Sequence, residues 1–243
     1  TKKERRNYII GDLGRTLEGY IVTAMMSTFM IFQGIDMTAV AGAMLVVKMI
    51  DAFDDVIFGY FVDRIHITEW KALKKITGDG KYLPWYRLTY FLFPIFTALF
   101  FCMPKGWSAG AKIVWFFVFY LLYDLTYTLV EVPMQSMIVT LTDNTDERNS
   151  ILQTKTILNS LATIGAGMLW TIAISEYVGI GIRDIALVSS VVFFFMMLPM
   201  CKGVKEHNTT LANVDPEENE KYTLKDMWNC IRTNKYLMLL LLS

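Results

Sequence analysis

The chain has 243 residues, 54% of them hydrophobic and 19% charged, and its 23 basic and 23 acidic side chains leave no formal net charge. A mean hydropathy of +0.38 is too apolar for an ordinary soluble domain, and without a basic excess the composition excludes nucleic-acid binding. Cys102, Cys201 and Cys230 form neither an even set nor a metal-ligand spacing, which excludes a disulfide framework and a zinc site.

A helix needs about 20 apolar residues to cross the hydrocarbon core of a bilayer. Six segments approach that length: 16–32, 37–61, 86–103, 111–137, 151–174 and 185–200. No charged, apolar and small-residue series ahead of the first marks a cleaved signal peptide. Arg15 and Glu18 stand at the start of the first span. There an arginine either snorkels to the cytoplasmic headgroups, the reading favoured here, or turns inward toward a solute.

The second span carries Lys48, Asp51, Asp54 and Asp55 in otherwise apolar sequence. Each such charge costs roughly 2.5 to 3.5 kcal/mol at the centre of a spanning helix, so four of them predict a function. Residues three, four and seven apart share a helix face, which puts Lys48, Asp51 and Asp55 on one inward stripe with Asp54 at its edge. Like charges in a low dielectric raise one another's affinity for protons or cations, and a bound Na+ or H+ relieves them. Lys48 is then the charge partner of the empty site. The alternative is an ion-paired network that only fixes helix packing.

In the fourth span, Pro133 frees a backbone carbonyl one turn earlier. Asp124, Thr128, Glu131 and Gln135 share a face there, a set of acceptors and donors suited to sugar hydroxyls, the alternative being that Asp124 and Gln135 are interfacial or helix-bonding groups. Lys155 opens the fifth span with the same choice as Arg15; if both turn inward, a carboxylated sugar such as a uronide fits the basic pair. Trp85, Trp107, Trp115 and Trp170 are expected at the membrane interfaces.

Lys and Arg concentrate before the first span, in the second and fourth loops and after the sixth span, which predicts that both ends are cytoplasmic. On this topology the glycosylation pattern at Asn208 faces inward and goes unused. Asp63, Arg64, Asp143, Glu147 and Arg148 fall on the same side, which the positive-inside pattern alone accounts for. His66 and His207 have no partner pattern, and no nucleophile motif or phosphate-cradling loop occurs, so no enzyme is expected. Residues 1–200 then form a six-helix transmembrane half, 201–226 a cytoplasmic linker with an acidic run, and 227–243 the entry to a seventh helix. That organisation suits a transporter of two six-helix halves.

Several motifs carry a resemblance. Tyr8-Ile-Ile-Gly-Asp-Leu-Gly14, the run from Asp51 through Asp54 and Asp55 to Gly59, Gly80-Lys-Tyr-Leu-Pro-Trp85 and Tyr127-Thr-Leu-Val-Glu-Val-Pro133 occur in the order found in one transporter family. So do Thr142-Asp143, Glu147-Arg148 and the stretch 223–242. Together they resemble the glycoside-pentoside-hexuronide:cation symporters of the major facilitator superfamily over nearly the whole chain. The resemblance implies a cation site at Asp51, Asp55 and Thr128, with Asp54 where the family has Asn. It implies substrate contacts at Thr16, Glu131, Gln135 and Thr156, with Arg15 and Lys155 beside the first and last, and gate charges at Asp63, Arg64, Asp143, Glu147 and Arg148. Of these only Glu131 keeps the family's chemistry, and Gln135 stands where a stacking Trp would be.

The expectation is therefore an all-α membrane protein, the six-transmembrane-helix N-terminal bundle of a major facilitator superfamily transporter. It is expected to symport a sugar, glycoside or uronide with Na+ or H+, with no cofactor beyond that cation. Its expected partners are the solute, the lipid bilayer and a second six-helix half, and its location a bacterial-type inner (plasma) membrane. The alternatives are a lysolipid carrier on the same scaffold and a non-transporting membrane interaction module.

Overall fold

The computed structural model describes residues 1–207 except His66, together with Thr233; for 52–56 and 63 it describes the backbone alone. The expected linker beyond His207, the seventh-helix entry, Asn208 and Cys230 lie outside the described residues, as do the side chains of Asp54, Asp55 and Asp63. Chain contacts separate 1–208 from 209–243.

Every element of the described residues is helical. Helix α1 (Lys2–Phe32) is followed by α2 (Met37–Arg64), a 3-10 turn (Ile67–Glu69), α3 (Lys71–Thr77), α4 (Leu83–Thr89) and α5 (Leu92–Phe101). Then come α6 (Ala109–Leu141), α7 (Thr145–Ile174) and α8 (Ile182–Gly203). Polar caps set several starts: Asp36 accepts from the Thr38 amide, Ser108 from Ala111, and Asn144 from Asp146 and Glu147.

By length and composition, α6, α7 and α8 are the helices among the described residues fit to cross a membrane alone. The other three expected spans differ for local reasons. α1 begins well before residue 16 and carries Asp12, Arg15 and Glu18 in its buried length. α2 carries Lys48 and the aspartates. The third span divides into α4 and α5 around Tyr90 and Phe91, because Pro94 offers no N–H to the Tyr90 carbonyl and its ring crowds that turn. Both residues at the division keep helical dihedrals, so the chain bends rather than reverses.

Pro133 leaves α6 unbroken, and the Leu129 carbonyl it frees accepts the Thr89 hydroxyl of α4 at 3.1 Å. α1 packs most extensively on α8 and α7, while α2 and α5 pack on α6. Gly11 and Gly14 make the α1–α8 approach possible: a Cβ on Gly11 would lie 2.6 Å from Met200 Cβ, and one on Gly14 would lie 2.9 Å from Met196 Cβ. Trp170, expected at an interface, is instead buried, stacked on Tyr20 and edge-on to Phe193. α7 turns Ile157, Leu161, Ile164, Met168 and Ile172 outward, each about 60% exposed, an apolar face suited to hydrocarbon rather than water.

At the end of the bundle where α8 finishes, Glu206 accepts from the amides of Lys81 and Tyr82 at the start of α4, and Arg87 donates to the Cys201 carbonyl. His207 Nε2 lies 3.0 Å from Glu4 Oε1. The first two contacts close the loop between α2 and α4 onto the tail of α8, and the third ties that tail to the start of α1.

Candidate substrate and cation sites

Two groups of charged side chains lie along α6. The first joins α1, α6 and α7. Asp12 Oδ1 lies 3.4 Å from both Arg15 Nη2 and Lys155 Nζ, and its Oδ2 accepts from Asn159 at 2.8 Å. Arg15 Nη1 donates to the Tyr127 hydroxyl at 2.7 Å and meets Glu131 Oε1 at 3.1 Å. Lys155 Nζ donates to Gln135 Oε1 at 2.9 Å, and Gln135 donates in turn to Glu131 at 3.4 Å. Two cations and two carboxylates balance here. Asp12 is 0%, Arg15 5% and Lys155 7% exposed, whereas the Glu131 side chain is 29% exposed and Gln135 is exposed outright. Glu131 and Gln135 therefore form the accessible edge of an otherwise buried network, and Arg15 Nε and Asn159 Oδ1 remain unpaired within it.

The arginine thus turns inward, against the favoured headgroup reading. The carboxylate one turn before it, Asp12, holds it there, and the Tyr127 ring covers its guanidinium at 5.2 Å. Thr16 joins through a 3.4 Å bond from Arg15. Thr156 stands outside the network: it is exposed, and its hydroxyl donates to Leu152 within its own helix.

The second group joins α2 to α6. Lys48 Nζ lies 2.8 Å from Asp51 Oδ2 and 3.0 Å from Asp124 Oδ1. Asp124 thereby leaves the substrate face on which the sequence placed it. Seven residues of helix separate it from Glu131 by about 10 Å along the axis, and each meets a different neighbouring helix. Thr128, between them, is buried. Asp51 is partly exposed, and the backbone of Asp54 and Asp55 continues α2 from it. Among the described residues no set of three or more acidic, His or Cys side chains is placed to hold a metal.

Sequence reasoning did not single out Asp12, Tyr127, Asn159 or Glu18 as site residues. Asp12 had a signal: it stands three residues before Arg15, one turn away on the same face. Glu18 is fully buried, accepts from Ser190 of α8 at 2.8 Å, and its Oε2 is unpaired. Among the candidate gate charges, Glu147 accepts from Thr142, Arg148 donates to the Thr142 carbonyl, and Arg64 lies over the Tyr60 ring. An apolar groove of about 430 Å³, lined by Leu17, Ala166, Trp170, Val188 and Phe193, lies apart from both charged groups.

A family model described as MFS/sugar transport protein matches residues 7–243. Among curated relatives, the isoprimeverose transporter of Lactiplantibacillus pentosus is 28% identical over 241 residues, 93% of this chain and 47% of that protein. A glucuronide carrier protein homolog of Escherichia coli is 28% identical over 162 residues, 65% of this chain and 32% of that one. A putative sulfoquinovose importer of the same bacterium is 26% identical over 252 residues, 98% of this chain and 49% of that one. All three are named as transporters and not as enzymes. The chain spans about half the length of the curated relatives it matches over most of its own.

Proposed function

The chain belongs to the MFS/sugar transport protein family, in its glycoside-pentoside-hexuronide branch, and on that footing we propose that it supplies the N-terminal six-helix half of a cation-coupled sugar symporter. Residues 1–200 form that half, 201–226 the cytoplasmic linker and 227–243 the entry to the seventh helix. The protein sits in a bacterial inner membrane with both ends cytoplasmic. Cargo is held at the edge of the α1–α6–α7 network, where Glu131 accepts from sugar hydroxyls while Gln135, Thr16 and Arg15 complete the contacts. The coupling ion, Na+ or H+, binds on α2 at Asp51, Asp55 and Asp54 with Thr128 of α6.

The observation that carries this reading is that one continuous helix, α6, contributes to both groups: Glu131 meets Arg15 of α1, and Asp124 meets Lys48 of α2. An ion drawn to α2 and a sugar drawn to α1 then brace the same element. Each improves the affinity of the other, and rocking against the second half carries both across.

The partly exposed Glu131 carboxylate favours a neutral glycoside. An anionic sugar is a second reading, supported by Arg15: its Nε is unpaired and it meets the partly exposed Glu131, so a substrate carboxylate or sulfonate takes the place of Glu131 there. A polar edge of this kind is a poor surface for an acyl chain, which weighs against the lysolipid alternative. Uptake by the full-length protein in proteoliposomes, with Na+ and pH gradients imposed separately over a panel of glycosides and uronides, tests the proposal. Accumulation driven by one gradient is expected; a flat response to both overturns it.

A further inference from the structure

Asp124 is a carboxylate with half its capacity idle. It is 4% exposed, its Oδ1 is bonded to Lys48, and its Oδ2 has no hydrogen-bond partner. Burying an ionised carboxylate is costly unless each oxygen is satisfied, and an ammonium that also serves Asp51 satisfies only one of the two. The Lys48 side chain is 53% exposed, on a four-carbon stem, and ends between a carboxylate of α2 and one of α6. A small hard cation gathers several oxygens around one point, and its place between Asp51 and Asp124 is the place that the Lys48 ammonium fills.

We propose that Asp124 is a ligand of the coupling cation and that Lys48 is a tethered stand-in for it. The lysine holds Asp51 and Asp124 together in the empty site, and an alkali cation binds by displacing its ammonium. The inference rests on the cation-coupled reading above and adds to it a ligand from α6 and a competitor from α2. The fixed partner is Asp124, buried on the longest helix of the described residues. The movable one is Lys48, whose exposed stem gives it somewhere to go. Exchange of lysine for ion keeps α2 and α6 joined in both states, and releases Lys48 when the ion arrives.

The test uses the full-length transporter in proteoliposomes and reads the Na+ concentration that half-saturates substrate uptake. Asp124→Asn is expected to raise it by about tenfold or more, because a charged ligand is lost. Lys48→Gln is expected to lower it by about threefold or more, because the competitor is lost. A purely structural ion pair moves neither value in these opposite directions. Half-saturation within about twofold of wild type in Asp124→Asn, while Asp51→Asn abolishes stimulation, overturns the inference and leaves the symporter reading intact. Wild-type uptake indifferent to Na+ and to pH overturns both, and stimulation by protons alone overturns the alkali-ion exchange. If Asp124→Asn does not elute as a folded species, Lys48→Gln decides: an unchanged or raised half-saturation overturns the proposal.

Discussion

The network around Asp12 and the pair of ion pairs around Lys48 use the same kinds of group and are held very differently. In the first, Asp12, Arg15 and Lys155 are at most 7% exposed; α1 pairs Asp12 with Arg15 by itself, but α6 and α7 must both be in place before every charge is matched. In the second, the Lys48 side chain is 53% exposed and Asp51 26%, so that only Asp124 is truly enclosed. Depth decides what each can do. A charge network sealed between α1, α6 and α7 holds a geometry and meets a solute at its rim, through Glu131 and Gln135 first and Thr16 and Arg15 behind them. A half-open one between α2 and α6 can exchange one cation for another.

Removing the central anion of the buried network breaks this contrast most forcefully. Asp12→Ala leaves Arg15 and Lys155 enclosed with one compensating carboxylate fewer, a change of roughly 3 to 5 kcal/mol. Thermal unfolding of the purified full-length protein is expected to show a large drop or a failure to fold. Lys48→Gln in the same assay is expected to cost less, about 1 to 3 kcal/mol, since the ammonium is half-exposed and the amide that replaces it can still donate to the enclosed Asp124. Equal losses would mean that enclosure is not what separates the two groups.

At the rim, Glu131→Gln keeps the shape and removes the charge. A hydrogen bond to a charged group is worth about 1.5 to 3 kcal/mol, so substrate affinity is expected to fall about 10- to 100-fold with little loss of stability. Measured KM for uptake checks this, and an anionic substrate reverses the sign: with Glu131 neutral, Arg15 is freed for it and affinity rises. The variant thereby separates the two readings of the cargo.

The sequence made some of this plain and hid the rest. The stripe of Lys48 and Asp51 followed from helical spacing alone, and the pairing at 2.8 Å is what residues three apart on one face do. The inward turn of Arg15 did not follow, because a lone arginine near a membrane surface reads as well outward as inward. Asp12, one turn earlier, was the one local hint, and Tyr127 and Glu131 arrive from a helix over a hundred residues away to complete the inward setting. Asp124 was placed on the right helix face in the abstract, but helix periodicity cannot say which neighbour that face meets at each level. The glycines of the Tyr8 to Gly14 motif were legible as a family mark. Their physical reason, the close passage of Met200 and Met196, needed α8.

That passage supports the deep network from behind. Gly11→Ala sets a methyl 2.6 Å from Met200 Cβ and Gly14→Ala one 3.0 Å from the Phe193 carbonyl, so each must push α1 away from α8. Each is expected to cost about 1 to 3 kcal/mol in thermal unfolding and to weaken substrate affinity more than Na+ affinity, since α1 carries Asp12 and Arg15. Gly165→Ala, with open space around it on α7, is expected to be neutral or to stabilise by up to about 1 kcal/mol.

The smallest expected effect tests whether α6 really joins the two groups as one body. Pro133 removes the bond to the Leu129 carbonyl between the level of Asp124 and the level of Glu131, and Thr89 of α4 closes that gap with its hydroxyl. Thr89→Val keeps the volume and discards the bond, leaving a carbonyl unpaired at the weakest point of the helix. Stability is expected to fall by about 1 kcal/mol, with KM for substrate and half-saturation by Na+ each within about twofold of wild type. What should change is their interdependence. If the helix flexes at residue 129, the factor by which Na+ improves substrate affinity shrinks although each ligand alone binds as before. A coupling factor untouched by the loss of this bond would show that the link between ion and sugar runs through elements other than the middle of α6.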